Sequence, residues 1–171
     1  VLEQLDMQDA IPVAIGEAGQ DKYPADHEFA PVMGYNTEKI MTMNLRDGQE
    51  LLAEVMEEPF TLQIQAGFMD IAKFIHNENN AKPGNYTRFF NNCNAVFIMG
   101  GGTFKQDNIF IADSAQNNVF DKEATDFVLN QLQVATIPTY VITRDAISPI
   151  SMTVAKNYAM NNNDNELMEY L

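Results

Sequence analysis

Three consecutive glycines, Gly100, Gly101 and Gly102, follow the apolar run 95–99. Glycines at the end of a strand let the backbone approach a ligand or a neighbouring loop closely. Phosphate binding is the first chemistry such glycines suggest, and here it fails on spacing. The chain has no G-x-G-x-x-G step into a helix and no G-x-x-x-x-G-K-[ST]. Beyond the glycines come Asn117 and Asp121, and Asp145 closes the later run 137–145. Each has a plain structural use: Asn117 satisfying loop backbone groups, Asp121 at a helix N-terminus and Asp145 as a turn acid. Met99, ending a strand, reads as a core gap-filler before it reads as a ligand contact.

The histidines offer little catalysis. His76 falls near the end of a helical stripe, where its ring meets the negative end of the helix dipole. His27 stands among Glu17, Asp26 and Glu28, a set able to hold a metal in principle. However, the adjacent Asp26, His27 and Glu28 lack the i, i+4 spacing of helical metal motifs and read more simply as a solvated acidic loop. The single cysteine, Cys93, excludes an internal disulfide and any cysteine-based zinc site. With Arg88 the sole cation nearby in sequence, Cys93 reads as a small buried apolar group. Asn85, Tyr86 and Thr87 form a glycosylation sequon beside Pro83 and Gly84, the composition of a surface loop.

The elements that must position these residues alternate in type. Residues 11–15 form an apolar run ending at Gly16 and read as a buried strand, with 1–9 as the end of a preceding helix. A long polar loop broken by Pro24 and Pro31 follows. Asp47 caps a helix through Glu57, because Leu51, Leu52, Val55 and Met56 recur at helical spacing and Glu50 completes a capping box; Pro59 ends it. Residues 60–66 alternate as a strand does, 69–77 carry a helical stripe, and 77–85 read as loop. Then come a strand at 95–99, a loop through 103–107, a helix at 121–133 and a strand at 139–143. Ser148 and Pro149 start a helix to about residue 160, followed by the polar connector 161–165 and another helix start at 166–171.

This alternation predicts one α/β domain over 1–171 with a mainly parallel, doubly wound sheet flanked by helices. Ligands in such sheets bind outside the carboxyl ends of the strands, which points to the loops after Ile15, Ala66, Met99 and Thr143. The chain of 171 residues carries a formal charge of −14, so it repels phosphate backbones and anionic lipid surfaces; no nucleic acid and no membrane partner is expected. No apolar run approaches the roughly 20 residues a spanning helix needs. The chain starts at Val1 without a basic-then-apolar leader, so a piece of something longer is expected.

The order of these segments resembles one family. Ile11 to Gly16 resembles the strand and glycine opening the second unit of inosine-uridine-type nucleoside hydrolases. Pro59 to Gly67 followed by Phe68, Met69, Asp70, Ile71 and Ala72 is similar to their strand, glycine and LTNxA turn. Phe97, Ile98, Met99, Gly100 and Gly101 resemble their VMGG segment, Ala115 to Asp121 their E-x-N-x-x-x-D segment, and Pro138 to Ala146 their strand ending in D-[AV]. The match extends over most of the chain and is nearest to the plant-type secreted branch. The resemblance thus implies an incomplete nucleoside-hydrolase-like core and an extracellular protein.

In that family a calcium ion, held by aspartates and a carbonyl of the LTN turn, activates the water that attacks the anomeric carbon. The resemblance places that carbonyl at Met69 and the ribose contacts at Met99 and Asn117. It also implies losses. Met69 and Asp70 stand where the family has Thr-Asn, and Ala115 replaces the ribose-binding glutamate. The D-x-D-x-G-x-D-D strand end and the late histidine-aspartate pair are not found in the chain. A methyl group accepts no hydrogen bond from a sugar hydroxyl, and a lost contact to an ionised partner costs about 1.5–3 kcal/mol. The expected function is therefore a non-catalytic structural, assembly or binding module, with no cofactor. Protein neighbours or a homo-oligomer would cover an open sheet edge, and a nucleoside or ribose is the ligand to consider. The alternative is the central fragment of a calcium-dependent purine or pyrimidine nucleoside N-ribohydrolase.

Overall fold

The computed structural model describes residues 10–17, 45–81 and 85–146. The expected elements at 1–9, 148–160 and 166–171, and the loop carrying Asp26, His27 and Glu28, lie outside these residues. Backbone contacts divide the chain into one unit of 14–23 and 45–146 and another of 1–13, 24–44 and 147–171. All the described strands and helices belong to the first unit.

Its main sheet contains three parallel strands, β3 (Phe60–Ile64), β4 (Cys93–Met99) and β7 (Thr139–Ile142), in the order β3-β4-β7. Leu62 pairs with Val96, and Val96 with Thr139. A separate parallel pair joins β1 (Ala14–Ile15) to β2 (Arg46–Asp47). The parallel alternation read from the sequence is thus the observed architecture. Two strand boundaries differ. The run 11–15 contributes only two strand residues, and Ile15 is 55% exposed, against the expectation of a buried strand. Pro12 lacks a donor for any ladder. β4 begins two residues early, at Cys93.

Helices α1 (Gly48–Val55), α2 (Met69–Ala81), α3 (Asn85–Asn92), the single turn α4 (Gln116–Val119) and α5 (Lys122–Val134) complete the unit. Asp47 caps α1 as expected, its Oδ1 accepting from the Gln49 and Glu50 backbone N–H groups at 2.7 and 3.4 Å. Asp121 does the same for α5 through the Ala124 N–H at 2.8 Å. The other end of α5 closes with the two bonds of a Schellman turn, from the Ile137 N–H to Leu132 O and from the Thr136 N–H to Gln133 O. Thr136 takes the left-handed position there, with φ 55°.

Two steps in the same direction across a sheet put both connecting helices on one face. Accordingly α2 and α5 pack together under the sheet. Ile71, Phe74 and Ile75 of α2 and Val128, Leu129 and Leu132 of α5 meet Ile64, Val96 and Ile98 in one core. Phe89 of α3 adds ring contacts to Phe60 and Phe74 at centroid distances of 5.5 and 6.2 Å. Cys93 is buried in this core as anticipated, and desolvation pushes its thiol up to about 11.

Two elements depart from the sequence reading. Segment 77–85, read as loop, contains the end of α2 through Ala81, so His76 sits well inside its helix and away from the terminal dipole. Segment 103–107, also read as loop, belongs to an antiparallel hairpin of β5 (Gly102–Phe104) and β6 (Phe110–Ala112). Its turn carries Asn108 at φ 62°, a conformation asparagine tolerates.

Candidate functional site

At the carboxyl end of β4 the chain enters the triple glycine, and the structure supplies a packing reason for each position. A Cβ on Gly100 would lie 2.9 Å from Asn118 Oδ1, one on Gly101 would run into the Asp113 carboxylate, and one on Gly102 would meet Phe110. The close approach is to the protein's own hairpin and to α4.

Asn118 organises this turn. It is buried, and its Nδ2 donates to Gly101 O at 2.8 Å and to Asp113 Oδ1 at 3.2 Å. Its carbonyl accepts from Thr125 Oγ1 at 3.0 Å, which ties α4 to α5. The sequence reading favours Asn117 and passes over Asn118. Two adjacent asparagines carry the same chemistry, and only the geometry of the helical turn decides which faces inward.

Asn117 spans the mouth. Its Nδ2 donates to Met99 O at 2.8 Å and to Gln65 O at 3.1 Å, clamping the ends of β4 and β3 together. The segment containing Ala115 and Asn117 thus lies at the carboxyl ends of these strands. Both amide hydrogens of Asn117 serve backbone carbonyls. Ala115 stands as the N-cap of α4 with no side-chain hydrogen bond. Met99 gives its carbonyl to Asn117, while its side chain is 45% exposed on the face opposite the core, so the core-filler reading does not hold. The strand alternation that buries Val96 and Ile98 forces Phe97 and Met99 outward.

Across the mouth, Met69 is the first residue of α2, so its carbonyl points into the following helical turn. Asp70 accepts the Glu17 backbone N–H on Oδ1 at 2.7 Å, and its carbonyl accepts Gln49 Nε2 at 3.1 Å. Lys73 pairs with Glu17 beside it. Calcium wants six to eight oxygens, several of them carboxylate. Among the described residues no three histidine, cysteine, aspartate or glutamate side chains converge, so the donors at Met69 and Asp70 do not by themselves fit that ion. Asn85 opens α3 rather than a loop. Asp145 lies in a 3-10 turn, Arg144–Ala146, and is exposed.

Of the four loops expected to form a site, the structure unites three and separates one. The loops after Ile15 and Ala66 line a cleft of about 370 Å³ with Gly16, Gly48, Gln65 and Asp70, and Asn117 ties that of Met99 to its rim. Thr143 instead lines a larger groove of about 850 Å³ among Phe104, Phe110, Leu132 and Tyr140, with no charged side chain among its described lining residues.

No family model matches the chain, and no curated protein matches it in sequence. Solved structures do share its fold. The type III effector protein XopQ, in a crystal structure complexed with adenosine diphosphate ribose, superposes with a TM-score of 0.67 over 99% of this chain at 20% identity. The effector protein XOO4466 superposes with a TM-score of 0.68, also over 99% of this chain and at 20% identity. The chain spans about half the length of each, 48% and 47%.

Proposed function

We propose that this chain is a nucleoside-hydrolase-like module that assembles with protein partners and does not hydrolyse nucleosides itself. The observation that carries the reading is the commitment of the mouth to the protein's own backbone. Asn117 holds Met99 O and Gln65 O, Asp70 holds the Glu17 N–H, and Ala115 offers a methyl group where the resemblance expects a carboxylate. Glycoside hydrolysis needs paired acids around the scissile bond and stabilisation of an oxocarbenium-like state. The acids at the described mouth are already engaged: Asp70 with the Glu17 N–H, Glu17 with Lys73, and Asp113 with Asn118.

An exposed apolar surface supports the assembly half of the proposal. Phe97, Met99, Tyr140 and Ile142, 36–55% exposed, share the sheet face away from α2 and α5. Such a face marks an interaction surface. An extracellular location belongs to the same proposal through the plant-type resemblance, and a glycan at Asn85 through its sequon. Calcium belongs to the rival enzyme alone.

The experiment incubates the protein with inosine and uridine in calcium and follows release of the free base, with light scattering in parallel. The expected result is no release at high protein concentration and a particle heavier than the 19.2 kDa chain. Base release abolished by a chelator establishes the N-ribohydrolase instead. One observation favours a second reading: a protein of the same fold is complexed with adenosine diphosphate ribose, so a ribosyl ligand bound without turnover is the companion hypothesis. A flat calorimetric titration with that compound, ribose and inosine removes it.

A further inference from the structure

Asp47 and Gly48 are the one place in the chain where glycine follows an aspartate or asparagine. Each is there for a structural reason. Asp47 ends β2, paired with Ile15, and then caps α1, its Oδ1 accepting the Gln49 and Glu50 N–H groups at 2.7 and 3.4 Å. Gly48 lies so close to the Ile15 carbonyl that a Cβ on it would stand 2.6 Å from that oxygen. Two packing demands thus place a carboxyl group beside a peptide nitrogen that no side chain of its own shields.

We propose that the Asp47–Gly48 peptide is a site of spontaneous isomerisation to isoaspartate, restrained by the cap and released when the first turn of α1 opens. In the reaction the Gly48 nitrogen attacks Asp47 Cγ and closes a cyclic imide. One carboxyl oxygen leaves as water, carrying the amide proton and one proton from solvent. Water then adds at the Asp47 backbone carbonyl carbon and breaks its bond to the Gly48 nitrogen, so the chain runs on through Cβ and Cγ, one atom longer. Nothing is oxidised or reduced, and water is the sole co-reactant.

The native geometry opposes the first step. Ring closure brings the Gly48 nitrogen into line with Cβ across the Asp47 Cα–C bond, and at ψ 137° it stands about a quarter-turn out of that line. Turning it there drags Gly48 from its place against the Ile15 carbonyl and pulls the carboxylate from the Gln49 and Glu50 N–H groups. Opening of this corner therefore controls the rate. The corner is weakly held: Arg46 and Asp47 are exposed, and α1 is eight residues long with every one of them at least partly exposed, the marks of a segment that opens locally. Once formed, isoaspartate does not restore the cap, because the carboxylate is then attached directly at Cα and the extra chain atom shifts Asp47 against Ile15. The change reaches the cleft of about 370 Å³, which Gly16 and Gly48 both line.

Ageing the 171-residue protein in warm neutral buffer tests this, with the urea-unfolded chain aged in parallel. Isoaspartate is located by fragmentation mass spectrometry of the peptide containing residue 47, and hydrogen exchange is followed at the Gln49 and Glu50 amides. The expected result is isoaspartate at this position in both samples, accumulating roughly tenfold to a hundredfold more slowly in the folded protein. In the converted fraction, exchange at Gln49 and Glu50 should be about tenfold faster. Asp47→Ser keeps a capping oxygen and removes the reacting carboxyl, so it should form no isoaspartate there and keep the exchange of the unaged protein. No isoaspartate at this position in either sample, equal rates in the two, or unchanged exchange after conversion each overturns the proposal. Base release from inosine has no bearing on this outcome.

Discussion

The two faces of β4 are built from the same kind of residue and have opposite fates. Val96 and Ile98 point into the layer formed by α2 and α5 and are almost fully buried, whereas Phe97 and Met99, their immediate neighbours, stand open beside Tyr140 and Ile142. Phe97 and Tyr140 stack on each other at a centroid distance of 4.9 Å, so the open face is organised without being covered. Hydrophobicity along a strand therefore reports that both faces are to be packed. It does not report by what. In this unit one layer is supplied by α2 and α5, and the other face is the one the proposed assembly would cover.

The contrast can be broken by substitutions on each side. Ile98→Ala removes methyl groups from the closed face and leaves a cavity; a loss of about 2–5 kcal/mol in urea unfolding is expected. A loss below about 1 kcal/mol means the core is not packed as described. Cys93, on the closed side, gives a chemical measure of the same closure. Its thiol is pushed from 9.0 to about 11 by burial, so alkylation of the folded protein near pH 8 should be roughly a hundredfold slower than of the urea-unfolded chain. The sign for stability follows from the raised value. The contribution is full below pH 9 and is lost as pH climbs through 11, so a Cys93→Ala variant should show a shallower alkaline decline.

Asn118→Ala sharpens the comparison at the mouth. It removes the buried side-chain donor to Gly101 O and Asp113 Oδ1, which keep the Asp113 and Ala115 N–H groups, and should cost about 0.5–1.5 kcal/mol, while Asn117→Ala, which frees two partly solvated carbonyls, should cost less. Equal effects would mean that the two side chains are equally deep. On the open face, Tyr140→Ser should change stability by about 0.5 kcal/mol at most. Its readout is weaker binding of an apolar dye and a shift of the light-scattering mass toward the monomer.

Much of this fold is legible in the residues. Asp47 before Leu51 and Leu52, the alternation of 60–64, the run into Gly100, and Asp121 before an apolar stripe each combine a local signal with a period, and each element is found. The hairpin is hidden because its strands are three residues long and its turn has no glycine, leaving Asp107 and Asn108 as the signal. Helix α3 is hidden because it follows Pro83 and Gly84 and is rich in asparagine, a composition that usually means loop. At the site, the position of Asn117 beside Met99 agrees with the order of motifs, but its bonds to two carbonyls depend on how close β3 and β4 end, which no local pattern encodes. The exposure of Met99 is likewise a question of which layer exists, and a strand's own letters are silent on that.

Thr136 bears on how this protein can change. A branched side chain held at positive φ resists its own backbone, and glycine at the same position relieves that resistance by about 1 kcal/mol. A Thr136→Gly change therefore supplies a margin against which a destabilising change elsewhere can be tolerated, such as a new polar group on the exposed face of β4 and β7.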